Sequence, residues 1–156
     1  MREIFFNSTI KSELICNFLA VFSRMEFALK ASIKYAIGNE KGVSADWDKF
    51  AKDYESFVEK DDSKLIEAID YLFNAAPNKQ VLEDNELKFI PTENTEGKTT
   101  KQLLILVRRV RNNLFHGGKY HPNDEGRDEL LIVYTLKILE MCVKLDSDVY
   151  SLYSKV

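Results

Sequence analysis

Apolar residues recur every three or four positions along most of this chain, and that periodicity restricts the fold more than any other feature of the sequence. The first series runs from Thr9 to about Ile37. Its apolar positions are Ile10, Leu14, Phe18, Val21 or Phe22, Met25, Leu29 and Ile33. This spacing is typical of a helix that buries one face. With only 6 Gly and 3 Pro in 156 residues, a turn-dense sandwich or barrel is not expected.

Four more helical segments are predicted after the first. The last of them continues as a heptad seam, with apolar residues alternating at spacings of four and three. We therefore predict an all-α protein, an up-and-down bundle of four to five helices forming one domain over residues 1–156. The predicted segments begin near Ser44 and at Asp62 or Ser63, and then cover Lys101 to about His116 and about Arg127 to Tyr153.

The polar segment 78–100 interrupts the helical pattern. Leu87 to Ile90 could be a short extended piece, but Pro91 and the residues after it indicate a loop. Loops of this length are uncommon in compact domains and often functional. The segment is expected either to border a substrate site or to be a plain surface excursion.

Nothing in the sequence indicates a membrane-bound or secreted protein. The longest uncharged run near the start, Leu14 to Ser23, is ten residues long, whereas a spanning helix needs about 20. The N-terminus lacks the apolar stretch of a secretory signal. The cysteines, Cys16 and Cys142, lie on apolar stretches and are predicted to be reduced and buried. We expect a cytoplasmic protein.

Basic residues are concentrated in one window of an otherwise acidic chain. Between Gly97 and Asn123 there are six basic residues and no acidic one, so the window carries +6 in a protein of net charge −3. Such asymmetry indicates a local anion site and not a general polyanion-binding surface. The six are Lys98, Lys101, Arg108, Arg109, Arg111 and Lys119.

Arg111 occupies a position where a leucine would be expected. On a helix it falls in one stripe with Leu104 and Val107, and a guanidinium there costs several kcal/mol unless it is paired or faces a cleft. His116 follows five residues later, before Gly117 and Gly118. The alternative is that these cations only complement the negative end of the helix dipole, with the glycines as an ordinary cap.

Most other kinds of active site are not supported by the sequence. The two histidines, His116 and His121, have no cysteine near them, so the clustered ligands of a zinc site are missing. There is no phosphate-binding glycine loop and no Gly-x-Ser-x-Gly turn. We expect neither a metal nor a cofactor.

The segment Arg111-Asn112-Asn113-Leu114-Phe115-His116 resembles the Arg-x-x-x-x-His motif of the HEPN (higher eukaryotes and prokaryotes nucleotide-binding) superfamily. A polar residue commonly follows the arginine in that family, as Asn112 does here. The segment from Phe22 to Lys30 also resembles an early helix of several bacterial HEPN families. The similarity of architecture covers about residues 8 to 153.

This resemblance implies a metal-independent endoribonuclease that acts as a homodimer, with a toxin or a phage-defence effector as the expected biological role. His116 would be the acid/base for attack by the ribose 2′-hydroxyl, Arg111 would neutralise the developing phosphorane, and Asn112 would orient them. RNA would follow the basic window, with Arg108, Lys119 and Asn113 as substrate contacts. An antitoxin or a nucleotidyltransferase is a further expected partner.

Two other functions remain open at this stage. The chain could be a non-catalytic HEPN module that binds a nucleotide or a partner protein. It could also be a structural helical protein in which Arg111 is a buried ion-pair partner. Glu26, at the border of the first helix's buried stripe, is the expected carboxylate for Arg111, the alternative being an ion pair with Lys30, four residues on.

The predicted dimer surface combines the motif helix with the last helix. Leu103 to Val107 is apolar all round, and Leu130 to Tyr134 forms a continuous apolar run. One small core is not expected to cover both. A two-fold contact there would bring the two copies of His116 into one groove.

Overall fold

The computed structural model describes residues 10–92, 97–115 and 125–155, with the side chains of Phe115 and Glu125 left out. Within these ranges the chain is mainly helical, with two small antiparallel hairpins. The elements are α1 (Ser12–Ala31), β1 (Ala36–Asn39), β2 (Gly42–Ala45), α2 (Trp47–Asp53), a 3₁₀ helix (Glu55–Glu59), α3 (Ser63–Asn74), β3 (Lys79–Glu83), β4 (Glu86–Ile90), α4 (Thr100–Phe115), α5 (Glu125–Cys142) and α6 (Ser147–Ser154).

A single hydrophobic cluster holds the helices together, as the periodicity predicts. The members of this cluster from α1 include Phe18, Phe22, Met25 and Leu29, which are all buried. This side of α1 packs against α5 and α6, while α3 packs against α5. In α4, four residues are buried in the core, which confirms α4 as a central helix: Leu103, Leu104, Leu106 and Val107.

The first helix is shorter than predicted, because the chain turns into a hairpin. α1 ends at Ala31, and Ser32 has extended backbone angles. Tyr35 turns inward and is fully buried, and its carbonyl accepts a hydrogen bond from the Asp46 amide at 2.7 Å. Ile33, predicted on the buried stripe, is instead exposed.

The second correction concerns segment 78–100, which is not an unstructured loop. β3 and β4 pair in register from Lys79↔Ile90 to Glu83↔Glu86. Asp84 and Asn85 form the turn with φ angles of 53° and 62°, a left-handed conformation that Asn and Asp tolerate and that matches the twist of a two-residue hairpin. The fold is therefore helix-rich but not all-α.

The predicted long last helix is two helices. The break falls between Cys142 and Ser147, where Asp146 caps α6 by accepting hydrogen bonds from the amides of Asp148 and Val149. The heptad positions continue across the break, so the periodicity gives no sign of it. An Asp followed by Ser is a common start signal for a helix.

The apolar run Leu130 to Tyr134 is largely covered within one chain, contrary to the expectation of a wide dimer surface there. Leu131 and Ile132 are buried. Tyr134 packs on Tyr71 of α3, with ring centroids 4.8 Å apart. No helix among the described residues is long and apolar enough to span a membrane.

Candidate functional site

The predicted motif lies on the last turns of α4, a helix that is fixed firmly at its other end. The Thr100 hydroxyl donates a hydrogen bond of 2.8 Å to the Glu55 carbonyl of the 3₁₀ helix. The middle of α4 is anchored in the core by its buried residues Leu103, Leu104 and Val107. Because the helix is held along its length, the side chains of its final turns have a defined direction.

Arg111 lies against the core without entering it. Its guanidinium carbon is 5.5 Å from the centroid of the Phe22 ring on α1, a distance at which a cation is attracted to an aromatic face. One guanidinium nitrogen donates a hydrogen bond of 3.0 Å to the Asn112 side-chain oxygen. Phe22 itself is buried and stacks on Trp47 at 5.7 Å. The arginine that replaces a leucine in the stripe is thus accommodated by an aromatic surface.

Arg108 and Asn112 are the exposed members of this end of α4. They are four residues apart, so they lie on one side of the helix. Arg108 and Arg111 are three residues apart and are also neighbours. The structure therefore brings together Arg108, Arg111 and Asn112, three of the residues that the sequence assigns to the site.

Two other residues of the same turns hold the second hairpin against α4. Arg109 donates a hydrogen bond of 2.9 Å to the Thr92 hydroxyl just after β4, and burial lowers the pKa of its guanidinium. The Asn113 side chain donates to the Asn78 carbonyl at 2.9 Å and accepts from the side-chain amide of Gln80 at 3.5 Å. Asn113, predicted as a substrate contact, is thus engaged by the start of β3.

The charge of the basic window is partly balanced within the folded chain. Lys98 forms an ion pair of 2.6 Å with Asp70 on α3. Lys101 is 3.4 Å from Asp48 on α2. The cationic character of the window is therefore concentrated toward the last turns of α4, as far as the described residues go.

Glu26 takes the alternative partner. Its carboxylate forms an ion pair of 2.7 Å with Lys30, the helical neighbour four residues on. An i,i+4 Glu–Lys pair forms from two side chains already on one helix face, so it requires no long-range fit. The expected role of Glu26 beside Arg111 is replaced by this local pair and by the Phe22 ring.

His116 and Lys119 lie outside the described residues, as do Gly117 and Gly118. Their assigned roles, an acid/base and a substrate contact, remain predictions from the sequence.

A polar cluster that the sequence analysis missed ties α6 to the first half of the chain. One carboxylate oxygen of Asp146 accepts hydrogen bonds from Lys34 Nζ at 3.2 Å, the Tyr35 hydroxyl at 3.2 Å and the Tyr54 hydroxyl at 3.0 Å. Burial alone would raise the pKa of Asp146, but the Val149 amide and the Lys34 ammonium outweigh it and lower that pKa to about 2. This cluster is structural, and the Asp146-Ser147 pair is the only local signal of it.

A groove runs between α2, the 3₁₀ helix and the first turn of α4. Two of the lysines that line it pair with carboxylates of the same groove, Lys49 with Asp53 at 2.9 Å and Lys101 with Asp48 at 3.4 Å. The groove lies roughly 15 Å along α4 from Arg111, at 1.5 Å per residue. The better candidate for anion chemistry is the cationic end of α4, because Arg108 is exposed there and neighbours Arg111.

Among the described residues, no group of three or more His, Cys, Asp or Glu side chains could hold a metal ion. Cys142 is fully buried, and burial raises the pKa of its thiol, whereas Cys16 is exposed, contrary to prediction. Comparison of the chain with family models, curated proteins and solved structures gives no match.

Proposed function

We propose that this protein is a metal-independent endoribonuclease of HEPN type, acting in the cytoplasm as a homodimer. The observation that carries the proposal is the position of Arg111. Its guanidinium rests on the Phe22 ring, is hydrogen-bonded to Asn112, and neighbours the exposed Arg108. A guanidinium held in this way is suited to stabilise negative charge that develops on a phosphate in the transition state.

The roles follow from the chemistry of each side chain. His116 removes the proton of the ribose 2′-hydroxyl, since an imidazole titrates near neutral pH. The 2′-oxygen forms a bond to the adjacent phosphorus while the bond from phosphorus to the 5′-oxygen breaks. The 5′-oxygen takes a proton and leaves. The products are a 2′,3′-cyclic phosphate end and a 5′-hydroxyl end.

Arg111 carries the charge of the phosphorane, and Asn112 fixes the guanidinium through the hydrogen bond between them. Arg108 binds the RNA backbone as an exposed cation. One motif histidine per chain cannot readily act as base and acid in a single turnover, so a second protomer supplies the other group. An antitoxin or a nucleotidyltransferase is the partner expected to control the activity.

The test is incubation of the purified chain with structured RNA, with and without EDTA. We expect cleavage that survives EDTA, leaves 2′,3′-cyclic phosphate ends and spares DNA. His116→Ala and Arg111→Ala should each abolish it, whereas Lys52→Ala, a change at an exposed lysine of α2, should not. Cleavage that requires a metal, or that cuts DNA equally, would contradict the mechanism. A folded protein that cuts no RNA would favour the non-catalytic binding module.

A further inference from the structure

The exposed side of α1 carries no charge over most of its length, although 30% of the residues in the chain are charged. From Cys16 onward five exposed positions follow each other in steps of four, three, four and four, which places them on one side of the helix: Cys16, Ala20, Ser23, Phe27 and Ala31. We call this side, with its neighbour Leu19, the α1 surface. It consists of Cys16, Leu19, Ala20, Ser23, Phe27 and Ala31.

The charged side chains of this part of α1 are held by contacts within the chain. Arg24 donates a hydrogen bond of 2.9 Å to the Tyr153 carbonyl, and its guanidinium carbon lies 4.6 Å from the Tyr153 ring centroid. Glu26 and Lys30 pair with each other. These three are all the charged residues between Leu14 and Ala31, so two copies could meet on this side without like-charge repulsion.

Large apolar side chains are exposed on and just beyond this surface. Leu19 and Phe27 are 41% and 48% exposed, and Ile33, in the turn after α1, is 99% exposed. The following hairpin packs on α1 and has no charged residue in either strand. It adds Ile37 and Val43, both more than half exposed, on its two opposite faces.

The area matches the lower limit of a stable interface. With about 200 Å² for a fully exposed aromatic side chain and somewhat less for aliphatic ones, the α1 surface, Ile33 and one face of the hairpin expose roughly 600 Å². A standard interface buries about 1,200 Å² or more in total, counting both partners. Two copies of this surface reach that limit, and the patch of one copy lies at the upper end of the largest apolar patches on typical monomers, about 300–600 Å².

We infer that the α1 surface, extended by Ile33 and the first hairpin, is the contact between two copies of this chain. A two-fold interface brings one patch against the same patch of its partner, so an uncharged apolar surface is compatible with itself. The inference rests on the proposed function only in expecting a homodimer. It locates the dimer contact on α1, the same helix whose Phe22 supports Arg111.

Sedimentation of the full chain across micromolar concentrations is the first test. We expect a dimer that dissociates on dilution, because the interface is small. Ile33→Glu and Phe27→Glu should each weaken it at least about tenfold, since each places two like charges across the two-fold axis. Ile33 is almost fully exposed, so its substitution leaves the core unchanged. The matched control is Leu82→Glu, at a 75% exposed leucine of the other hairpin, which should leave the dimer intact.

Thiol cross-linking tests the same contact independently. Ser23 lies near the middle of the α1 surface, and Cys142 is buried. In a Cys16→Ser background, Ser23→Cys should form a covalent dimer with a short bis-maleimide, and adding Ile33→Glu should abolish it.

A chain that stays monomeric, or a dimer that both glutamate variants leave unchanged, would overturn the inference. Cleavage of RNA by such a protein would preserve the proposed function without this surface. A dimer that follows the predictions but cuts no RNA would support the surface and contradict the ribonuclease.

Discussion

At the scale of single residues, Arg111 illustrates how a charged side chain can occupy an apolar stripe. Its identity and its anomalous position are visible in the sequence. Its contact with the Phe22 ring is not visible in the sequence, because Phe22 is 89 positions away in the chain and an aromatic residue there is equally suited to core packing alone. The sequence therefore predicted that Arg111 needs a partner and proposed Glu26, while the structure supplies an aromatic ring.

Replacement of Arg111 by Ala should separate activity from stability. Loss of the contact with Phe22 removes a cation–π attraction of about 1 kcal/mol, so the protein should remain folded. Cleavage should be lost, and Arg111→Lys should restore little of it, since an ammonium cannot offer a planar pair of donors. Thermal unfolding and RNA cleavage measured on the same samples check this. A large loss of stability with normal cleavage would reverse the assignment.

Asp146 gives the fold a defined sensitivity to acid. Its pKa falls from 3.8 to about 2 on folding, which corresponds to about 2 kcal/mol of stability. Because the folded-state pKa is the lower one, this contribution is complete above about pH 4 and is lost as the pH falls toward 2. Asp146→Asn should reduce the free energy of unfolding by a similar amount at neutral pH.

Urea unfolding at several pH values measures this effect. The difference between the wild type and Asp146→Asn should shrink as the pH is lowered below about 4. Asp70→Asn, which removes a half-exposed surface pair with Lys98, is the control and should change stability little. A difference in stability that stays constant with pH would show that the neighbouring groups do not lower the pKa of the Asp146 carboxylate in the folded state.

At the scale of elements, the helices that carry long apolar stripes could be predicted, and the hairpins could not. The stripe of α1 predicts Phe18, Phe22, Met25 and Leu29 in the core, as found. The first hairpin was missed because the residues of its strands are nearly all exposed. They therefore lack the alternation of apolar and polar residues that predicts a strand. In the second hairpin, the extended piece Leu87 to Ile90 was anticipated and lies in β4. Its pairing with β3 was missed because the turn, Asp84-Asn85, lacks the glycine that usually marks such turns.

Gly38 should be required for the first hairpin. A Cβ atom at this position would overlap the carbonyl oxygen of Gly42 on the paired strand, whereas a Cβ at Gly42 meets nothing within 4 Å. Gly38→Ala should cost about 1–3 kcal/mol, as overpacking does, and Gly42→Ala should be close to neutral. Chemical denaturation of the two variants compares them directly. Equal effects would contradict the close approach of the strands.

Asn113 should hold the second hairpin in place against α4 and should not bind RNA. Asn113→Ala removes the hydrogen bonds to Asn78 and Gln80, so amide exchange should accelerate in β3 and β4 and stay unchanged in α1. Asn112→Ala should leave exchange in the hairpin unchanged and reduce cleavage. If Asn113→Ala instead abolished cleavage with normal exchange, the original assignment of Asn113 to the substrate would be supported.

At the scale of the whole molecule, the distribution of charge predicts weak dependence of RNA binding on salt. Lys98 and Lys101 are paired with carboxylates, and Arg109 is bonded to Thr92. Few phosphates are therefore neutralised by the described residues, in spite of the +6 charge that the window has in the sequence. The sequence gives the number of charges, but only the fold determines which of them are paired with carboxylates, as the exposed Lys98 and Lys101 are.

Fluorescence titration of a catalytically inactive variant, His116→Ala, with single-stranded RNA at several salt concentrations measures this dependence. Each phosphate contact contributes about −0.7 to the slope of log K against log salt. Arg108→Ala should make the slope less steep by about that amount, whereas Lys98→Ala should leave it unchanged. An equal effect of both would indicate that the ion pair between Lys98 and Asp70 opens to bind RNA.

The contacts between α1 and α6 join residues that are far apart in order of synthesis. Arg24 meets Tyr153 and Ser32 meets Asp148, across 129 and 116 positions. A ribosome adds about 5–20 residues per second, so the apolar side of α1 emerges roughly ten seconds before the helix that covers it. During that interval the apolar side chains Phe18 and Met25 of the nascent chain are not yet covered by the complete core. Early chaperone binding to this segment is therefore expected during translation.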